Sequence, residues 1–226
     1  MRLYYMTSLK TAAEYILPER RMRCGRFGKL NDPFELRCFN FGAKEERALF
    51  RPLLEYLHKT TGVICFGKHW KSPVMWGHYA DSHRGVCLGF DVQPDNLVHE
   101  MQYVPERVAW KVDPTKPIQG VNEELLGLMM TAKYDAWKYE EEWRLYAGLQ
   151  DPDPVNGSYY IEFGDNLTLR EVIVGASCTT PVGTIKKLVG DVNQSVEIFK
   201  ARPAFETFTM VRQKAVKPIV VKPRKH

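Results

Sequence analysis

The sequence predicts an α+β domain, a bent or split mixed β-sheet flanked by helices, and three observations lead there. Short runs rich in β-branched and aromatic residues, such as Thr61 to Phe66 and Leu169 to Val174, recur along the chain. Four segments, near residues 8–17, 44–59, 122–137 and 181–189, carry apolar side chains at helical spacing and are outnumbered by the strand-like runs. A chain of 226 residues, 44% hydrophobic and 26% charged, is long enough to bury one full core. Residues 1–211 read as a single domain, followed by a basic C-terminal tail over 212–226.

Residues 2–6 are short, aromatic and apolar, and Thr7 or Ser8 can cap a helix with Leu9, Ala12, Ala13, Ile16 and Leu17 on one stripe. Pro18 ends that helix or closely follows it. Arg20, Arg21, Arg23, Arg26 and Lys29 then interleave with Met22, Cys24 and Phe27, as a structural loop or as a phosphate-facing basic edge. Asn31-Asp32-Pro33 is turn chemistry, because proline fixes φ and biases Asp32 away from the helical region. Leu49, Phe50, Leu53, Leu54 and Leu57 define the helix over 44–59, in which Pro52 predicts a kink or two shorter helices. Beyond the strand at 61–66, a turn or single helical turn delivers His78, Tyr79, Asp81 and His83 to the entrance of a strand from Gly85 to Asp91.

One or two strands are expected around Tyr103 and Trp110, with Pro114 and Pro117 marking the loop beyond. Asn122 can cap the next helix, Glu123 and Glu124 favour its dipole, and Leu125, Leu128, Met129, Ala132 and Ala136 carry it over 122–137. Asp151 to Gly157 is a surface loop, and Tyr159 to Phe163 and Leu169 to Val174 are strands. Thr180-Pro181 opens the last helix, and strands follow at Val196 to Lys200 and Thr207 to Val211.

Composition narrows the function classes. Cys24, Cys38, Cys65, Cys87 and Cys178 are odd in number and lack CxxC spacing, which points to reduced thiols in a cytoplasmic compartment and away from a disulfide framework or zinc site. The N-terminus has no apolar signal-type core, and no run approaches the ~20 apolar residues that span a bilayer. The net charge of +5 is concentrated at the end of the chain, where Arg212, Lys214, Lys217, Lys222, Arg224 and Lys225 occur without one acid. Such a segment suits DNA or RNA, or serves as a loosely ordered solubilising end.

The chemistry concentrates between Trp137 and Leu145, where three carboxylates and an arginine lie between two tryptophans. Read as a strand, this stretch puts Glu140, Glu142, Arg144 and Tyr146 on one face and Glu141, Trp143, Leu145 and Ala147 on the other. The first face would carry two carboxylates about 7 Å apart, a pair that calls for a cleft or solvent. Paired carboxylates can stabilise positive charge developing at a sugar carbon when a glycosidic bond breaks, and Tyr4, Tyr5, Trp76 and Tyr79 could stack on a sugar or base. The plainer alternative is a charged, solvated helix end. His78, Asp81 and His83 suggest a metal, but their spacing departs from the i, i+4 pattern of helical ligands, and no metal site is expected.

Asn-Asp-Pro-Phe-Glu at 31–35, Met-Trp-Gly-His-Tyr-Ala at 75–80 continuing to Gly-Val-Cys-Leu-Gly-Phe at 85–90, Tyr-Glu-Glu-Glu-Trp-Arg at 139–144 and Glu-Val-Ile-Val-Gly at 171–175 resemble a bacterial and phage family. That family, twenty-nine seventy-one in the series of domains of unknown function, carries no activity in its label. The chain also resembles the ADP-ribosyltransferase superfamily. Leu3-Tyr4-Tyr5-Met6-Thr7-Ser8 with its helix is similar to the first element of those enzymes, Trp76 to Phe90 to the second and Glu140-x-Glu142 to the third. No His or Arg follows the first tyrosine, which departs from the superfamily pattern.

This second resemblance implies an NAD-dependent transferase acting on nucleic acid or protein, in phage defence or toxin–antitoxin conflict. It assigns catalysis to Glu142 with Glu140 as helper, and contacts to NAD to Tyr5, Thr7, Tyr79, His83 and Arg144. Two alternatives stay open: a non-catalytic nucleotide-sensing or nucleic-acid-binding module of the same fold, and a nuclease using His78, Asp81 and His83.

Overall fold

The structure, a computed structural model, describes residues 1–93, 97–109 and 123–223. Trp110, Pro114, Pro117, Asn122, Arg224 and Lys225 lie outside the described residues.

Ten strands hydrogen-bond into one mixed sheet: β1 (Arg2–Thr7), β2 (Gly25–Arg26), β3 (Thr61–Gly67), β4 (Val86–Val92), β5 (Val98–Glu100), β6 (Glu142–Gly148), β7 (Leu167–Val174), β8 (Val196–Pro203), β9 (Met210–Arg212) and β10 (Ile219–Val221). Their order across the sheet is β9-β8-β7-β4-β1-β3-β6-β5, with β10 pairing β8 and β2 pairing β3. The pairing of β7 with β8 is parallel, and the other sheet pairs are antiparallel. The fold is therefore α+β, as the mixture of periodicities predicts. Within the basic segment after Arg212, Ile219–Val221 belongs to the sheet and pairs with Val196, Glu197 and Ile198 of β8.

The register divides the side chains between two faces. Arg144 pairs with Cys65 and Trp143 with Phe66, so Glu142, Arg144 and Tyr146 share a face with Cys65 and Val63. The opposite face carries Leu3, Ile64, Phe66, Leu88, Phe90, Leu145 and Val172 in the largest apolar cluster. Ala12, Ile16 and Leu17 from the first helical segment, and Ile185 and Val189 from the helix Val182–Val189, complete that cluster. On the Glu142 face, Phe27, Phe39, Phe50, Leu57, Val63, Met129 and Tyr146 form a second cluster, and Trp76, Ala80, Cys87, Ile173 and Phe199 a third.

The helices follow the sequence with two instructive exceptions. Ser8 caps the first helical segment, its hydroxyl accepting the Thr11 amide at 3.0 Å. Lys44–Thr60 is one helix that runs through Pro52, so the alternative of two shorter helices does not hold. The helix expected over 122–137 stops at Thr131, because Ala132–Tyr134 leaves it to pair in parallel with Gln102–Val104. A 3-10 helix, Asp135–Glu140, then leads into β6. These departures decide where the charged residues go.

Candidate functional site

The charged stretch after Trp137 is neither a regular strand nor a solvated helix end. Glu140 closes the 3-10 helix, Glu141 adopts a left-handed backbone at φ 42°, and Glu142 begins β6. This single left-handed residue keeps the inward–outward alternation expected of these three carboxylates. It sends Glu141 outward, where its carboxylate meets His69 Nε2 at 2.7 Å, and turns Glu140 and Glu142 inward to burial at 5% and 4% exposure.

Burying two carboxylates needs compensation, and two cations supply it. Lys133 Nζ donates to Glu142 Oε2 at 2.8 Å and also to Glu140. Arg144 Nε donates to Glu142 Oε1 at 2.7 Å, while Nη1 and Nη2 form a fork on Glu35 at 2.7 and 2.6 Å. The turn chemistry at Asn31-Asp32-Pro33 explains how Glu35 arrives. Asp32 Oδ1 accepts the Phe34 amide at 2.8 Å, and the Asp32 carbonyl accepts the Glu35 amide at 3.3 Å, which folds Glu35 back under the sheet. The expectation that this polar face would meet a cleft or solvent is corrected: protein groups receive it.

Electrostatics follow from the contacts. Burial alone would push the Glu142 carboxyl up, but Arg144 and then Lys133 outweigh it and hold the group down at about 2. Lys133 is likewise raised despite its burial, by Glu142 and Glu140. Three carboxylates (Glu35, Glu140, Glu142) face two cations (Arg144, Lys133), so one negative charge is left over within the chain of ion pairs.

At its Glu140 end this chain of ion pairs approaches the surface. Glu140 takes a further hydrogen bond from the half-buried Tyr79 hydroxyl, which itself accepts from exposed Asn31 at 2.7 Å. Burial and the Glu140 carboxylate push the Tyr79 phenol well up, so it stays protonated and donating. Aromatic rings lie beside Tyr79 at this mouth. His78 lies 6.1 Å from Tyr79 and 6.0 Å from Tyr139, Tyr139 lies 6.2 Å from Trp137, and Lys133 Nζ sits 4.9 Å from the Trp137 ring.

The sequence-predicted residues thus separate. Glu140, Glu142, Arg144 and Tyr79 come together. Arg144 spends all three of its nitrogens on Glu142 and Glu35, which answers the question of ion pair or phosphate binding in favour of the ion pair. Tyr5 and Thr7 do not join them, because β1 presents these residues with Leu3 on the opposite face, and Tyr5 packs edge-on against Phe66 at 6.2 Å. One pocket against Glu142 cannot include them.

His83 does not join them either. Asp81, Ser82 and His83 form three successive left-handed residues at φ 47°, 50° and 68°, a conformation that costs roughly 1–2 kcal/mol each. The turn is held by the His83 amide on the Trp76 carbonyl at 3.1 Å, the Gly85 amide on the Ala80 carbonyl at 2.8 Å and the Ser177 amide on the His83 carbonyl at 3.0 Å. Gly85 admits no side chain here, since a Cβ would collide with the Thr7 carbonyl. His78 belongs to the aromatic rim, Asp81 faces Arg84 at 3.5 Å, and among the described residues no group of three His, Cys, Asp or Glu side chains could hold a metal ion.

Sequence reasoning missed Glu35, Lys133, Cys65 and Tyr103 as members of this site. Cys65 lies beside Glu142, and its thiol is raised far up, by burial first and then by that carboxylate. The Tyr103 hydroxyl accepts the Glu142 amide at 2.8 Å. A signal for Glu35 stood in Asn-Asp-Pro-Phe-Glu, whereas Lys133 was hidden inside a helix expected to run past it.

Residues 75–145 match a family described as "Protein of unknown function (DUF2971)". The match takes in Tyr79, Lys133, Glu140, Glu142 and Arg144, while Glu35 lies outside it. No curated protein and no solved structure matches the chain. No helix of the described residues is long and apolar enough to cross a membrane.

Proposed function

We propose that this chain is an ADP-ribosyltransferase-like protein that takes NAD as substrate at the Tyr79–Glu140 mouth. One observation carries the reading: a buried carboxylate, Glu140, lies behind a half-buried tyrosine and beneath a rim of aromatic rings. ADP-ribosyl transfer breaks the bond between the nicotinamide nitrogen and ribose C1′. The electron pair leaves on nicotinamide, positive charge develops on the ribose, and the acceptor's nucleophile bonds to C1′ as it loses its proton. A carboxylate fixed in a dry setting stabilises such charge better than one in water.

The residues fit that task in named roles. A ribose hydroxyl replaces the Tyr79 hydroxyl on Glu140. His78, Tyr139 and Trp137 stack against the planar parts of the substrate. Glu142, gripped between Arg144 and Lys133, is a positioning residue that fixes Lys133 and through it Glu140. The acceptor is nucleic acid or protein, in keeping with a role in phage defence or toxin–antitoxin conflict.

A second reading has its own observation. Both Glu142 oxygens and every Arg144 nitrogen are occupied within the protein, which suits a module of the same fold that senses a nucleotide without turning it over.

Titration calorimetry with NAD, followed by chromatography for free nicotinamide, tests both. The transferase reading expects binding and release, with NAD affinity reduced about fivefold or more in Tyr139→Ala as one stacking face is removed. Binding without release selects the sensing module. No heat at about 1 mM NAD, the upper end of ordinary substrate affinities, overturns both.

A further inference from the structure

The opposite edge of the sheet carries a second candidate surface. β8 and β9 are joined by a hairpin, closed by the Ala204 amide on the Thr209 carbonyl at 2.9 Å. On this hairpin Phe205 is 89% exposed and Phe208 99% exposed, so two large apolar rings face water within four residues and form a patch. The hairpin is well anchored. β8 pairs with β7 inside the core, and the Met210 amide donates to the Lys71 carbonyl at 2.8 Å. The rings are therefore displayed on a fixed support.

Cations surround them. The Arg202 guanidinium lies 4.2 Å from the Phe205 ring, and Arg212, whose two terminal nitrogens donate to Glu197, lies 3.9 Å from Phe199. A cleft of about 380 Å³ opens beside Phe205, lined by Arg202, Glu206, Thr207, Val211, Arg212 and Lys214. From Ile198 to the end of the chain, Glu206 is the sole acid against eight lysines and arginines, and β10 holds part of that basic segment along the same edge of β8.

We propose that this hairpin is a docking surface for a single-stranded polynucleotide. Its bases stack on Phe205 and Phe208, and its phosphates lie along Arg202, Lys214 and Lys217. Exposed phenylalanines interleaved with cations are the two parts such a platform needs: stacking that any unpaired base can supply, and a positive track for the backbone. Duplex fits poorly, because paired bases offer no free face to the rings. A lipid surface also fits poorly, because seating both rings in it would carry Glu206, which lies between them, out of water. The surface is remote in sequence from Tyr79 and Glu140, and the proposal stands whether or not NAD is turned over.

Fluorescence anisotropy with labelled oligothymidylate of about 15 nucleotides, a length matched to ordinary single-strand site sizes, tests it on the full chain. The parent should bind the strand more tightly than the corresponding duplex. Phe205→Ala/Phe208→Ala, which removes only exposed rings and should leave circular dichroism unchanged, should weaken binding about tenfold or more. Arg202→Gln/Lys214→Gln should lower the log–log salt slope by about 0.7 for each phosphate no longer engaged. No binding by the parent, equal binding of duplex, or unchanged affinity in the phenylalanine variant overturns the proposal. Loss of binding to phosphatidylserine vesicles alone in that variant would assign the rings to a membrane instead. Nicotinamide release by the same variant reports separately on the Tyr79–Glu140 mouth.

Discussion

Arg144 and Arg2 each hold two carboxylates, yet they stand at opposite ends of what an ion pair can do. Arg144 is 1% exposed and grips Glu142 and Glu35 where neither can turn to water. Arg2 is 35% exposed and meets exposed Asp91 at 2.9 Å and the more covered Glu171 at 3.0 Å. The distances are alike, so geometry alone does not separate the two. Burial does: at the surface a broken pair is rehydrated, whereas in the interior its partner is stranded.

The largest difference should appear when the cation is removed. Among the described residues, Arg144→Met leaves Glu35 with no charged partner and Glu142 with Lys133 alone, and should cost about 3–5 kcal/mol in urea unfolding. Arg2→Met should cost no more than about 1 kcal/mol. Similar losses for the two variants would break the comparison.

Acid sharpens it next. The Glu142 carboxyl is depressed from 4.5 to about 2 on folding, so its contribution is complete above the unfolded value and is lost as pH falls through the folded one. Stability should therefore drop by on the order of 3 kcal/mol between about pH 4.5 and pH 2, and the drop should shrink in Glu142→Gln. Urea midpoints across that window check this, and an identical acid response in the variant would remove Glu142 from the interpretation.

Smaller effects belong to the margins of the network. Tyr79→Phe takes one donor from Glu140 and should cost about 1–3 kcal/mol, with a circular dichroism spectrum like the parent's. Ser82→Gly relieves one of three successive left-handed residues and should raise stability by about 1 kcal/mol or less, read as a higher thermal midpoint.

Much of the architecture was legible in the sequence because it rests on local periodicity. The stripe through Leu53, Leu54 and Leu57 became the helix Lys44–Thr60, and the β-branched runs became β3 and β7. The site was legible only in part. Glu140, Glu142, Arg144 and Tyr79 stood out as residue types, but their burial depends on groups far away along the chain. Arg144 and Glu35 are 109 positions apart, and a periodicity read over a dozen residues cannot join them. Tyr5 was misplaced for a different reason: a motif gives the strand, but the pairing of Phe66 with Trp143 decides which face each residue takes. Glu141 shows the limit most sharply, since a left-handed backbone at a glutamate has no signature in composition.

The reading of the Tyr79–Glu140 mouth turns on the charge of one buried carboxylate. Glu140→Gln keeps the shape beneath the aromatic rim and removes that charge, so nicotinamide release measured against the parent is the direct test. The expected result is release from NAD by the parent, loss of release in the variant by about a hundredfold or more, and NAD affinity within a few-fold of the parent's. Release at the parental rate from Glu140→Gln, or none from the parent itself, would contradict a catalytic role for this carboxylate.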